Sequence, residues 1–128
     1  SLYTSLLPNL LVPDLFAALR ASRALKVYVV NIATQPGETS GYDVTEHVSV
    51  LEDHVGNGIF DIVVCNNHYI AALPNGVEWV KINASTERYP IYGADLVDDE
   101  HPWRHDSDKL ARVLMDLLYE RTGPLLDG

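Results

Sequence analysis

Polar side chains crowd at four places in this chain, and each set is suited to holding a small ligand. The stretch Asn31-Ile32-Ala33-Thr34-Gln35-Pro36-Gly37-Glu38-Thr39 sets amides, hydroxyls and a carboxylate around a Pro-Gly turn. Such groups can hydrogen-bond a sugar, a base or a phosphate, although an ordinary polar crossover loop carries the same residue types. Asn66-Asn67-His68-Tyr69 offers amides beside rings that can stack on a base; Asn also serves plain turn chemistry. Ser1, Tyr3, Thr4 and Ser5 place hydroxyls ahead of a helical run, where free N–H groups hold anions or are merely capped. Arg104, within Trp103-Arg104-His105-Asp106, stands at the start of a helix. A cation there opposes the helix dipole, which suggests ligand work: a guanidinium joining helix N–H groups around a diphosphate. The alternative is a surface ion pair with Asp95, Asp98, Asp99 or Glu100, worth about 0–1 kcal/mol.

Other chemistries find less support. His47 and His54 share a helix face but stand two turns apart, a long reach for one metal ion. Neither an HExxH motif nor a Cys/His set is present, so no metal site is expected. Cys65 sits in an apolar run, where an inert buried thiol is expected, and there is no GxSxG to build a hydrolytic triad. GxGxxG and P-loop patterns are absent too, so a glycine-rich nucleotide loop, if there is one, lies outside these residues.

The elements that position these groups follow from periodicity. Residues 10–22 read as a helix with Pro13 in its first turn and Leu15, Phe16 and Leu19 on one face. Residues 25–33 are a near-continuous β-branched and aromatic run, as in a strand covered on both faces. Residues 43–55 read as a helix capped by Asp43, with Val44, Val48, Leu51 and Val55 as its buried stripe and glycines ending it. Residues 59–66 form a second buried strand, 79–82 a short one and 91–97 a third. Residues 106–121 form a helix with Leu110, Val113, Leu114, Leu117 and Leu118 on one face. This order predicts an α/β fold, a Rossmann-like parallel sheet with flanking helices, whose ligands bind beyond the carboxyl ends of the strands.

Composition bounds the function. The chain has 128 residues, 9 Lys plus Arg against 18 Asp plus Glu, and a formal net charge of −9. That balance disfavours nucleic acid and anionic membrane surfaces as partners. One cysteine excludes an internal disulfide, and no apolar run reaches membrane-spanning length. The first basic residue is Arg20, unlike a signal peptide, and the chain reads as cytoplasmic. Ser1 is not an initiator Met, so the residues read as part of something longer, and an exposed sheet edge would favour a homo-oligomer.

The segments SLYTSLLPNLLVPDL, KVYVVNIATQPGETSGYDVTEH, FDIVVCNN and WRHD followed by KLARVLMDLL resemble the CofD-like family, in particular its branch of YvcK-type gluconeogenesis factors (UPF0052). The resemblance runs in order over nearly the whole chain. It implies that residues 1–128 are the C-terminal part of a CofD-like α/β domain, lacking its N-terminal glycine-rich half. The gluconeogenesis-factor branch is associated with binding UDP-sugars, notably UDP-N-acetylglucosamine, and with carbon metabolism and cell shape. The CofD branch transfers a 2-phospholactyl group to the deazaflavin Fo with Mg²⁺; the regulator branch implies no firm cofactor. By matching position, the ligand-lining residues would be Ser1, Tyr3, Thr4, Ser5, Asn31, Thr34, Gln35, Gly37, Glu38, Thr39, Asn66, Asn67 and Arg104.

Overall fold

The computed structural model describes Leu2, residues 6–83, Thr86 and residues 89–122. Strands β1 (Val27–Val29), β2 (Ile62–Asn66) and β3 (Ile91–Ala94) form a parallel sheet in the order β1-β2-β3. Val27 pairs with Ile62 and Val29 with Val64, while Val63 pairs with Ile91 and Asn66 with Ala94. Around the sheet lie α1 (Leu7–Leu10), α2 (Pro13–Ala21), α3 (Val44–Val55) and α4 (Ser107–Thr122).

Alternation along the strands divides the core. Tyr28, Val63 and Cys65 pack with Val44, Val48, Leu51 and Val55 of α3, the stripe that its sequence spacing predicts. Val27, Val29, Ile62 and Val64 pack on the opposite face with Leu110, Val113 and Leu117 of α4. A parallel sheet buried on both sides needs apolar residues at every strand position, which is why these strands read as unbroken runs. The buried stripe of α4 is narrower than its periodicity suggests: Leu114 and Leu118 are 36% and 37% exposed.

Helix ends follow local chemistry. The single helix expected over 10–22 is broken ahead of Pro13, because the residue before a proline is pushed out of helical geometry; Val12 is extended, at φ −74° and ψ 116°. Asp43 caps α3 by accepting from the Glu46 N–H at 2.9 Å. Gly56 ends α3 at φ 87°, a conformation open to glycine. Arg20 of α2 donates to the Val55 carbonyl at 3.4 Å, setting a cation against the negative end of the α3 dipole.

The expected strand over 25–33 stops early. Val30 still donates to the Val64 carbonyl at 2.9 Å, but the chain then leaves β2. Thr34 donates to the Glu78 carbonyl at 2.8 Å and Val80 to the Ile32 carbonyl at 3.0 Å, forming an antiparallel bridge between Ala33 and Trp79. Residues 79–82 are therefore a bridge segment, not a strand of the main sheet. Among the described residues, no helix is long and apolar enough to cross a membrane.

His47 is fully buried on α3, with Nδ1–H donating to the Asp43 carbonyl at 2.8 Å and Nε2 lacking a partner among the described residues. Burial lowers its pKa, against the opposing pull of the Asp43 carbonyl and the Asp43 and Glu46 carboxylates. A folded-state pKa below the unfolded value means that the unfolded chain takes up the proton first as pH falls. Stability is thus full above about pH 6.5 and declines below it. His105, also lowered by burial, adds to the same trend. Urea denaturation from pH 8 to pH 5 should show this acid-side decline, and His47→Leu should make it shallower; an unchanged slope in the variant would assign the decline elsewhere.

Candidate functional site

The loop that follows β1 is held by its own hydroxyls. Thr39 is fully buried, and its Oγ1 accepts from the Gln35 N–H at 2.8 Å. The Gln35 carbonyl accepts from the N–H groups of Glu38 and Thr39 at 3.0 and 2.9 Å. Gly37, at φ 81°, makes the turn that closes this short cycle. Thr34 is 4% exposed, and its Oγ1 accepts from the Glu78 N–H at 3.0 Å. Both threonine hydroxyls are thus engaged in loop architecture. In contrast, the side chains of Asn31 and Glu38 make no hydrogen bond or ion pair among the described residues.

At the carboxyl end of β2, Asn66 works as a strut. Its side chain is 1% exposed; Oδ1 accepts from the N–H groups of His68 and Leu96, both at 3.2 Å, and Nδ2 donates to the His68 carbonyl at 2.8 Å. The Tyr69 hydroxyl donates to the Asn66 carbonyl at 3.0 Å and accepts from the Ile82 N–H at 3.2 Å. Asn67 is exposed and donates its N–H to the Ala94 carbonyl at 2.9 Å.

The segment between β3 and α4 folds back toward β1. Val97 and His105 form an antiparallel bridge, and Asp106 donates its N–H to the Leu96 carbonyl at 2.8 Å. His105 Nε2–H donates to the Val30 carbonyl at 3.1 Å, and burial lowers the pKa of this ring, which keeps it neutral as a donor. This bond fastens the approach to α4 onto the last residue of the β1 ladder. Trp103 and Arg104 are thereby brought beside the loop of residues 31–38.

The result is an open cleft of about 770 Å³ beyond the carboxyl end of β1, within the usual range for small-molecule sites. Asn31, Thr34, Gln35 and Glu38 line it together with Trp103, Arg104 and His105, and Pro74 and Val77 add apolar surface. Arg104 has no carboxylate within 4.0 Å among the described residues, so the surface ion pair weighed from sequence does not form. Gln35 Oε1 is shielded from solvent with no partner among the described residues. The cleft gathers Asn31, Thr34, Gln35, Glu38 and Arg104; Gly37, Thr39, Asn66 and Asn67 stand outside its lining. Ser1, Tyr3, Thr4 and Ser5 lie outside the described residues, although Leu2 among them is buried in the core. Sequence reasoning missed Trp103 and His105 as lining residues, although both flank Arg104. Pro74 and Val77 carried no local signal, because a non-local bridge positions them.

A family model described as 2-phospho-L-lactate transferase CofD matches residues 1–122. The chain belongs to the CofD family. It is 36% identical over 130 residues to the gluconeogenesis factor of Bacillus subtilis, covering 94% of this chain and 41% of that protein. It is likewise 36% identical over 129 residues to the gluconeogenesis factor of Listeria monocytogenes, covering 95% of this chain and 40% of that one. The crystal structure of a UPF0052 family protein from Bacillus halodurans matches with a TM-score of 0.78 at 31% identity, covering 90% of this chain and 40% of that chain. The chain thus spans about two fifths of the length of these CofD-family relatives. Among the described residues, no group of three or more His, Cys, Asp or Glu converges to hold a metal ion.

The division between committed and uncommitted groups is measurable. In the full-length protein, Asn66→Ala should cost about 2–3 kcal/mol of stability, because it strips partners from buried N–H and C=O groups. Asn31→Ala and Arg104→Ala should each stay within about 0.5 kcal/mol. Denaturant titration checks this, and equal losses in all three variants would contradict the division.

Proposed function

We propose that this chain contributes one wall of a nucleotide-sugar site in a cytoplasmic regulator of the gluconeogenesis-factor type, with UDP-N-acetylglucosamine as the ligand class and carbon metabolism and cell shape as the processes served. The observation that carries this reading is Arg104, a guanidinium without an ion pair among the described residues, which lines one cleft with polar groups at a strand's carboxyl end. A guanidinium fork matches the paired oxygens of a diphosphate. The names of the Bacillus and Listeria relatives support a regulatory setting. The Asn31 amide, able to donate and accept, suits a ribose or sugar hydroxyl.

A second reading has one observation in its favour: the matching family model is named for a phospholactyl transferase. In that reading the cleft holds part of a nucleotide-activated donor, and Fo with Mg²⁺ completes the reaction elsewhere in the full protein.

Calorimetric titration of UDP-N-acetylglucosamine into the full-length protein separates the two. Saturable binding is expected, weakened about ten- to hundredfold by Arg104→Ala, the loss of one charge-assisted pair. Wild-type affinity in that variant would remove Arg104 from the site. Absence of binding, together with coupling of activated phospholactate to Fo, would establish the transferase reading instead.

A further inference from the structure

The cleft beyond β1 holds one indole that stays open to solvent. Trp103 lines the cleft and is 42% exposed, whereas Trp79 packs against the core cluster of Ile32, Val64 and Leu96. Among the described residues the one ring contact of Trp103 is with His101, edge-on, with centroids 5.5 Å apart and planes at 86°. An edge-on contact covers at most one face of an indole, which leaves the other free of His101. Arg104 does not take that place: among the described residues no cation lies over the Trp103 ring. The ring is also carried on a braced segment. Asp98 donates its N–H to the Arg104 carbonyl at 3.1 Å and Arg104 its N–H to the His101 carbonyl at 2.8 Å, closing residues 98–104 into a turn. The Asp98 carboxylate accepts from the N–H groups of Glu100 and His101 at 2.9 and 3.1 Å, inside the same turn. A tryptophan on such a turn gives up little freedom when a ligand covers it.

We propose that Trp103 is the stacking platform for the base of the nucleotide, its open indole face against the pyrimidine ring while the next residue, Arg104, takes the diphosphate. This rests on the nucleotide-sugar reading above and adds to it the residue that recognises the base. Base and diphosphate are joined through a single ribose, so consecutive residues of one turn can hold both. The flat, electron-rich indole matches the flat ring of uracil, which its carbonyl groups leave electron-poor. A sugar ring is puckered and rimmed with hydroxyls, and meets an indole face through its C–H groups alone.

The test uses the full-length protein and three probes: UDP-N-acetylglucosamine, UDP and inorganic pyrophosphate. Trp103→Leu should weaken the two nucleotides by the same factor, about tenfold, and leave pyrophosphate, which has no ring, unchanged. Trp103→Phe, which keeps an aromatic face, should recover most of that loss. UDP should quench the tryptophan emission of wild type more than that of Trp103→Phe. A folded Trp103→Leu variant that binds UDP as wild type does would overturn the proposal. So would a loss confined to UDP-N-acetylglucosamine, which would put the sugar on the ring, and an equal loss for pyrophosphate, which would mean that Trp103 acts by positioning Arg104. If Trp103→Leu fails to fold, the emission comparison still decides: equal quenching in wild type and Trp103→Phe would overturn the proposal. Binding of none of the probes to wild type would overturn both this role and the nucleotide reading beneath it, whereas nucleotide binding indifferent to Trp103 would overturn the role alone.

Discussion

The carbonyl of Val30 is the point on which the site depends. Its own N–H makes the last bond to β2, and its oxygen accepts from His105, which belongs to the approach to α4. One residue therefore ends the parallel ladder and anchors a segment 75 positions along the chain. Beyond it, residues 32–34 turn to the bridge with 78–80, so the strand end opens instead of continuing. The His105 bond, with the Val97–His105 bridge and the Asp106 N–H to the Leu96 carbonyl, holds the Arg104 segment beside the loop that follows β1. Burial serves this link directly: it disfavours the charged imidazole and so keeps a neutral ring in place at ordinary pH.

Residue type alone does not say whether a polar side chain builds a site or fills it. Thr34, Thr39 and Asn66 look like ligand groups by composition and position, yet each is nearly or fully buried and spent on a backbone partner. Asn31, Glu38 and Arg104 belong to the same segments and remain uncommitted. The committed set makes the uncommitted set effective. A loop closed by Thr39 and a strand end braced by Asn66 lose little further freedom when a ligand arrives, which lowers the ordering cost of binding.

Much of the fold was legible because its determinants are local. The valine and leucine spacing of α3, the apolar runs of β1 and β2 and the capping Asp43 all act within a few residues of themselves. The break at Val12 was less so: Pro13 suits the first turn of a helix, but the same proline also pushes the preceding residue out of helical geometry. The short strand expected over 79–82 did not reveal its partner, because backbone N–H and C=O groups are common to every residue and Thr34 and Glu78 lie 44 positions apart. Arg104 stood out through a mismatch, a cation at a helix start in an acidic chain. Trp103 and His105 did not, since a ring beside an arginine is unremarkable until the fold turns it into a wall.

That mismatch raises the question of how a lone cation stays available among so many carboxylates. The neighbouring acids are given other donors. Asp95 accepts from the Val97 N–H at 3.0 Å and from Lys109 at 3.1 Å, and Asp99 lies 3.7 Å from the same ammonium. Asp98 is held by the N–H groups of His101 and Glu100 at 3.1 and 2.9 Å, contacts that keep its carboxyl below the usual carboxylate range, with a smaller pull from the charges of His101 and Arg104. Asp106 accepts from the Lys109 N–H at 2.9 Å at the start of α4. The chain's charge of −9 repels extended polyanions at long range. Within a Debye length of about 8 Å, Arg104 supplies a positive charge to the cleft lining. Asp95, Asp98, Asp99 and Asp106 are therefore engaged with donors of their own segment and α4, while Glu38 shares the cleft lining with Arg104.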